Sequence, residues 1–197
     1  MNRRDLLPKI GMEPIRRRQI IDATMASIHH DGLGKTTIQG IAKRAGVASG
    51  LVLHYFTDKE QLFEAVYRDL YKRLSEETAL QSKKAKSSKE KLIAILNAQV
   101  TGDLVAPEIV STWFALGAKA TKTPRLARLE RANSARLSSN LIHLLSSMGL
   151  SRIQAKELSE ELVALIYGLW CQLAHQTLRT PDQANEILFR YLSVRLQ

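Results

Sequence analysis

Residues 36–59, TTIQGIAKRAGVASGLVLHYFTDK, constrain the fold more than any other stretch of the chain. Their spacing predicts two short helices, 37–44 and 48–54, joined by a tight turn at Ala45-Gly46, where glycine tolerates a left-handed backbone. Ile38, Ile41, Ala42, Val47, Val52 and Phe56 take the inward spacings. A helix expected at 14–30 supplies Ile20, Ile21, Thr24 and Ile28 as a third wall. What remains points outward, and the second helix carries a polar stripe. The major groove of B-DNA is wide enough to admit one such helix, and a helix-turn-helix places its second helix there.

The outward residues suit that use. Thr36 and Thr37 stand at a helix start, where hydroxyls and unpaired amides can donate to a phosphate. Gln39 is long enough to reach a base edge. Ser49, Gly50 and Leu51 open the recognition helix; Gly50 would let the backbone approach DNA, and Leu51 could contact a thymine methyl. His54 and Tyr55 can bond phosphates, and Lys59 adds a backbone charge. Arg16, Arg17 and Arg18, with Arg3, Arg4 and Lys9 in the arm, could track phosphates or enter a flanking minor groove. Taken singly, each has a plainer reading: a basic run is a solvated tail, and His54 and Tyr55 are surface residues. The joint pattern of turn glycine, caps, core spacing and polar face favours DNA.

Composition agrees. The chain has 197 residues, a formal net charge of +10, 45% hydrophobic residues and 6% aromatics. A strongly basic balance suits a polyanion, and few aromatics with many Leu, Ile and Ala favour helix over strand. No apolar run reaches the roughly 18 residues of a membrane span. The N-terminus lacks the apolar core of a secretory signal. A single Cys171 among apolar neighbours reads as a packing residue. The expected location is the cytoplasm.

Helix starts are well marked along the chain. Capping boxes are expected at Thr36 with Gln39, Thr57 with Glu60, Ser87 with Glu90, Ser151 with Gln154 and Thr180 with Gln183. Pro14, Pro124 and Pro181 fit the first position of a helix, and Pro107 is expected to open one too. The predicted fold is all-α, with about nine helices: 14–30, 37–44, 48–54, 58–81, 88–103, 107–121, 124–148, 151–177 and 181–196. Residues 81–91, QSKKAKSSKEK, read as a polar loop. We divide the chain into residues 1–57, an arm and three-helix reading unit, and residues 58–197, a helical bundle for ligand binding and dimerisation, joined by a long helix.

The segment resembles the DNA-binding domain of TetR-type repressors. The matching residues are Thr36-Thr37-Ile38, Ile41-Ala42, Ala45-Gly46-Val47, Gly50, Tyr55-Phe56 and Lys59. PKIGMEPIRRRQIIDAT (8–24), ARLSSNL (135–141) and ALIYGLW (164–170) resemble the BetI branch, repressors of choline-to-glycine-betaine genes. Ala48 departs from the family, which has Ser or Thr there; an N-cap to Ala change costs about 1 kcal/mol. The apolar run Leu51-Val52-Leu53 points to an operator different from that of close relatives.

A repressor of this kind needs a switch. Helices within 88–148 would enclose a pocket, with Trp113, Phe114, Leu116, Tyr167 and Trp170 as its candidate lining. Aromatic faces attract quaternary ammonium cations, worth roughly 0.5–2 kcal/mol each, and the resemblance implies choline. A tryptophan at helical spacing also reads as core, and both readings stand for Trp170. Relatives carry further aromatics where this chain has Leu116 and Gly117, and a carboxylate is common at the place of Tyr167. That leaves a depleted cage, with Glu108 and Asp103 as candidates to restore the charge. Another small apolar or cationic inducer remains the alternative.

The last two helices carry broad apolar stripes: Leu158, Leu162, Leu165, Ile166 and Leu169 on one, and Ile187, Leu188, Tyr191, Leu192 and Val194 on the other. In the TetR family this pair builds a homodimer interface, and a two-fold dimer reads a near-palindromic DNA operator with half-sites about 34–36 Å apart. No CxxC, Glu-x-x-His, phosphate loop or nucleophile pattern suggests an enzyme, and neither a cofactor nor a metal is expected. A non-specific architectural DNA binder would explain the charge but not the apolar C-terminal half.

Overall fold

A computed structural model describes residues 12–175 and 180–196. Among these the chain is all-α, with nine helices and no strand. They are α1 (Met12–Asp31), α2 (Ile38–Ala45), α3 (Ser49–Tyr55), α4 (Lys59–Ser82), α5 (Ser88–Gln99), α6 (Pro107–Ala120), α7 (Pro124–Ser147), α8 (Arg152–Ala174) and α9 (Pro181–Arg195), with a 3-10 turn at Gly102–Val105 between α5 and α6. None is long and apolar enough to cross a membrane. The chain divides into two compact units between Val66 and Tyr67, inside α4. Arg3, Arg4 and Lys9 lie outside the described residues.

The first unit closes on a small core of Ile20, Ile28, Ile41, Ala42, Val52, Phe56, Leu62 and Phe63, all buried. α2 ends at Gly46, whose φ of 64° and ψ of 35° only glycine adopts without strain. Its amide donates to Lys43 at 3.2 Å, and the Val47 amide donates to Ala42 at 3.0 Å. These two bonds close a Schellman turn and aim α3 away from α2. α3 itself starts at Ala48 with no side-chain cap.

Two caps stand one residue later than the sequence suggests. Thr37, not Thr36, caps α2, accepting from the Gly40 amide at 3.1 Å. Thr36 is instead buried, its hydroxyl donating to the Gly32 carbonyl at 2.9 Å. At α4, Asp58 accepts from the Gln61 amide at 2.7 Å, while the Thr57 amide donates to the Gln61 side chain. In both places neighbouring residues can each cap; at α2 the burial of Thr36 leaves the role to Thr37. Ser151 and Gln154 form the full reciprocal box, and Ser87 and Thr180 cap α5 and α9. Thr123, before Pro124, makes no side-chain cap bond.

The second unit packs α5 to α9 and the C-terminal part of α4 around Leu70, Leu92, Leu96, Val110, Leu126, Leu141, Leu145, Leu162 and Leu188. The helix expected at 88–103 stops at Gln99. Gly102 adopts a left-handed φ of 63°, and the Thr101 hydroxyl turns back to the Asn97 carbonyl at 2.8 Å. Much of the apolar stripe on α8 and α9 is consumed within this unit: Leu158, Leu162, Ile166, Leu169, Leu188 and Leu192 are buried. Ile153, 71% exposed, Val194, 67% exposed, and Phe189 remain on the surface of these helices.

Candidate functional site

The outer face of the first unit is set by how α3 is held. Gln19 on α1 donates to the Ala45 carbonyl at 2.6 Å, fixing the end of α2. Arg17 donates to the Tyr55 carbonyl at 3.0 Å and lies 4.5 Å from the centroid of the Phe56 ring. A cation at the last carbonyls complements the negative end of a helix. Arg17 is therefore a clamp on α3. Arg16 donates to Gln19, and Arg18 pairs with Asp22 at 2.9 Å, so these two arginines have partners within α1. Lys59 likewise donates to the Thr36 carbonyl at 3.3 Å.

Thr37, Gln39, Gly50 and His54 are exposed, and Ser49, Leu51 and Tyr55 are half-buried. A methyl group added at Gly50 would meet nothing within 4 Å, so the glycine leaves a shallow place on the surface. The His54 and Tyr55 rings meet edge to face at 5.2 Å. Of the apolar run, Val52 is core, whereas Leu53 is 48% exposed. Leu53 is thus, with the half-buried Leu51, an apolar group on the surface of α3. The buried hydroxyl of Thr36 is already bonded and is not on this face.

The second unit contains a cavity of about 130 Å³. Four aromatic side chains line it: Tyr71 from α4, Trp113 from α6, and Tyr167 and Trp170 from α8. Trp113 and Trp170 stack at 5.5 Å with 27° between planes. Tyr71 meets Trp113 edge-on at 4.6 Å, and Tyr167 meets Trp170 at 5.6 Å. The Trp170 indole N–H donates to the Gln99 carbonyl at 2.6 Å, which locks that ring. The Trp113 indole N–H is buried with no partner among the described residues.

One carboxylate organises the hydroxyls. Glu130 on α7 accepts from Tyr71 at 2.6 Å, from Tyr167 at 3.0 Å, from Ser134 at 3.2 Å, and from Tyr67. Burial works to raise its pKa, but the hydrogen bonds from the three tyrosines and Ser134 outweigh it and hold the carboxyl below its usual range. Burial, with the Glu130 charge beside it, pushes Tyr167 up to about 12. Burial and the bond to Glu130 raise Tyr67 and Tyr71 as well. At neutral pH the three phenols therefore stay protonated and donate to a full negative charge behind the rings.

This arrangement corrects parts of the expected lining. Trp113, Tyr167 and Trp170 do line the cavity. Leu116 is fully buried outside the lining, and Phe114 lies on the surface, 37% exposed. Only one edge of α6 faces the cavity, and these two side chains leave the helix in other directions. Tyr71 and Glu130 were not anticipated. Glu130 is the carboxylate bonded to the lining tyrosines; Glu108 and Asp103 do not line the cavity.

Comparison with known proteins agrees with both units. The profile of bacterial regulatory proteins of the tetR family matches residues 20–66, and that of the BetI-type transcriptional repressor C-terminal domain matches residues 88–197. The HTH-type transcriptional regulator BetI of Klebsiella pneumoniae is 39% identical over 170 residues, covering 85% of this chain and 87% of that protein. BetI 1 of Chromohalobacter salexigens is 36% identical over 193 residues, covering 96% and 95%. Among solved structures, a Pseudomonas aeruginosa regulator has a TM-score of 0.80 at 21% identity, covering 93% of this chain and 91% of that one. A Saccharomonospora viridis regulator in complex with choline has a TM-score of 0.79 at 20% identity, covering 91% and 96%. Together these matches place the molecule among DNA-binding regulators rather than enzymes, and the chain belongs to the TetR family of transcriptional repressors, in its BetI-type branch.

Proposed function

We propose that the protein represses transcription as a homodimer on a near-palindromic operator, and leaves it when a small quaternary ammonium compound, choline first among the candidates, fills the cavity of the second unit. The observation that carries this reading is the grouping of Tyr71, Trp113, Tyr167 and Trp170 with a carboxylate behind them. Aromatic faces attract an ammonium through their quadrupole, and desolvation strengthens the attraction. Glu130 supplies the countercharge that such a cation needs in a partly buried site. The choline bound by the Saccharomonospora viridis regulator supports the same class of ligand.

On the DNA side, Thr37, Gln39, Ser49, Gly50, Leu51, Leu53, His54 and Tyr55 are the candidate contacts, with Lys59 holding the loop beneath them. Exposed Phe189 and Val194 on α9 and Ile153 on α8 are the apolar surface available to a second copy. α4 is the candidate transmitter, because one continuous helix carries Lys59 in its first turn and Tyr71 in the cavity wall. An effector shifts the equilibrium only as far as it prefers the released form.

Selection of bound duplexes from a random-sequence pool tests this reading. It should return a near-palindrome with half-sites about one helical turn apart. Choline should then lower affinity for that duplex at fixed salt. Equal affinity for selected and random DNA, or a single subunit in sedimentation at working concentration, would overturn it.

A further inference from the structure

One cation lining the cavity is not used by the reading above. Arg136, on α7, lines both the aromatic cavity and an adjoining cleft of about 320 Å³ that also holds Arg68 and Lys72. Arg136 is exposed and has no ion pair or hydrogen bond among the described residues. A guanidinium stays charged at any working pH. A bare cation seated among the rings would therefore have an unneutralised like charge beside it, which costs affinity. Glu130 and Arg136 stand six residues apart on the same helix, roughly 9 Å along its axis. Arg136 in the lining and Glu130, bonded behind it to the lining Tyr71 and Tyr167, thus set a positive and a negative group at separate places about the cavity. The indole N–H of Trp113, buried without a partner among the described residues, is a second donor lacking an acceptor.

We propose that the ligand of this cavity is a zwitterion: a quaternary ammonium held by the rings and Glu130, joined by a short chain to a carboxylate or phosphate that meets Arg136. The inference rests on the quaternary ammonium reading and narrows it. Guanidinium binds either anion through paired N–H donors, so the two share one chemistry at this end. The anion neutralises the exposed Arg136, while the ammonium offsets the half-buried Glu130 behind the rings.

The test uses tryptophan fluorescence, because both tryptophans of the chain line the cavity. Choline, glycine betaine and phosphocholine are titrated against the full-length protein and against Arg136→Gln and Arg136→Lys. In the unaltered protein at least one zwitterion should bind about tenfold or more tighter than choline, the gain expected from a charged hydrogen bond. Glycine betaine alone identifies a carboxylate, and phosphocholine alone a phosphate. Arg136→Gln should bring the zwitterion-to-choline ratio close to one, and Arg136→Lys should restore part of it. Choline binding as tightly as both zwitterions, or a preference that survives Arg136→Gln, overturns this inference and leaves the quaternary ammonium reading standing. No response to any of the three overturns both.

Discussion

Tyr71 and Glu130, 59 positions apart in the chain, are joined by a hydrogen bond of 2.6 Å from the phenol to the carboxylate. That bond couples the long helix α4 to α7 at the wall of the aromatic cavity. It also makes Glu130 an acid whose protonation affects folding.

The sign follows from the direction of the shift. Glu130 is held below its ordinary value of 4.5, so the folded chain binds fewer protons than the unfolded one. The stability it contributes is complete above that value and is lost as pH falls through the lowered one. The melting temperature of the unaltered protein should fall on acidification in this window. Glu130→Gln should remove part of that dependence and weaken binding of a quaternary ammonium about tenfold. An identical acid profile in the variant would refute the assignment.

The two tryptophans should respond differently to loss of the indole. Trp170→Phe strands the Gln99 carbonyl, at a cost of about 1–3 kcal/mol beyond the lost packing. Trp113→Phe removes a donor that has no partner among the described residues, and should cost less although both rings are equally buried. Urea unfolding of the two variants compares them directly.

Two glycines in the reading unit should behave in opposite ways. Gly46→Ala forces a Cβ into a left-handed backbone and should destabilise by about 1–2 kcal/mol. Gly50→Ala lies in a helix with open space around it and should stabilise by up to about 1 kcal/mol. The same methyl would stand on the face proposed to meet DNA, so operator affinity should fall while stability rises. Calorimetry and fluorescence anisotropy separate the two effects.

The clamp on α3 can be tested apart from any contact with DNA. Arg17→Ala removes a charged hydrogen bond and a cation–π contact, together about 2 kcal/mol. Both stability and operator affinity should drop. Arg17→Lys should recover little of either, since an ammonium cannot reproduce the guanidinium fork. A variant that lost operator affinity with unchanged urea unfolding would make Arg17 a direct phosphate contact.

Ala48→Ser supplies the hydroxyl that α3 lacks at its start and should stabilise the protein by about 1 kcal/mol. A matching gain in the urea midpoint is the readout.

Local chemistry was legible in the sequence because its causes are local. Gly46, Pro107, Pro124, Pro181 and the Ser151–Gln154 box mark helix ends through residues next to one another. Where adjacent residues compete for one role, as Thr36 does with Thr37, burial decides, and burial is not a local property. Periodicity identified Trp113 and Trp170 as inward. It could not tell that Leu116 faces solid core and Trp113 a cavity, because both are simply apolar at helical spacing. Tyr71 and Glu130 left no signal at all. Each reads as an ordinary helix residue until the fold brings α4 and α7 together.

The recognition helix α3 has only seven residues and begins without a side-chain cap. A segment that short does not hold its shape on its own. Its pose is lent to it by Gly46 behind, by Arg17 at its far end, and by the core under Val52. Drift at those supporting positions can thus retune which sequences are read while every base-facing residue stays the same.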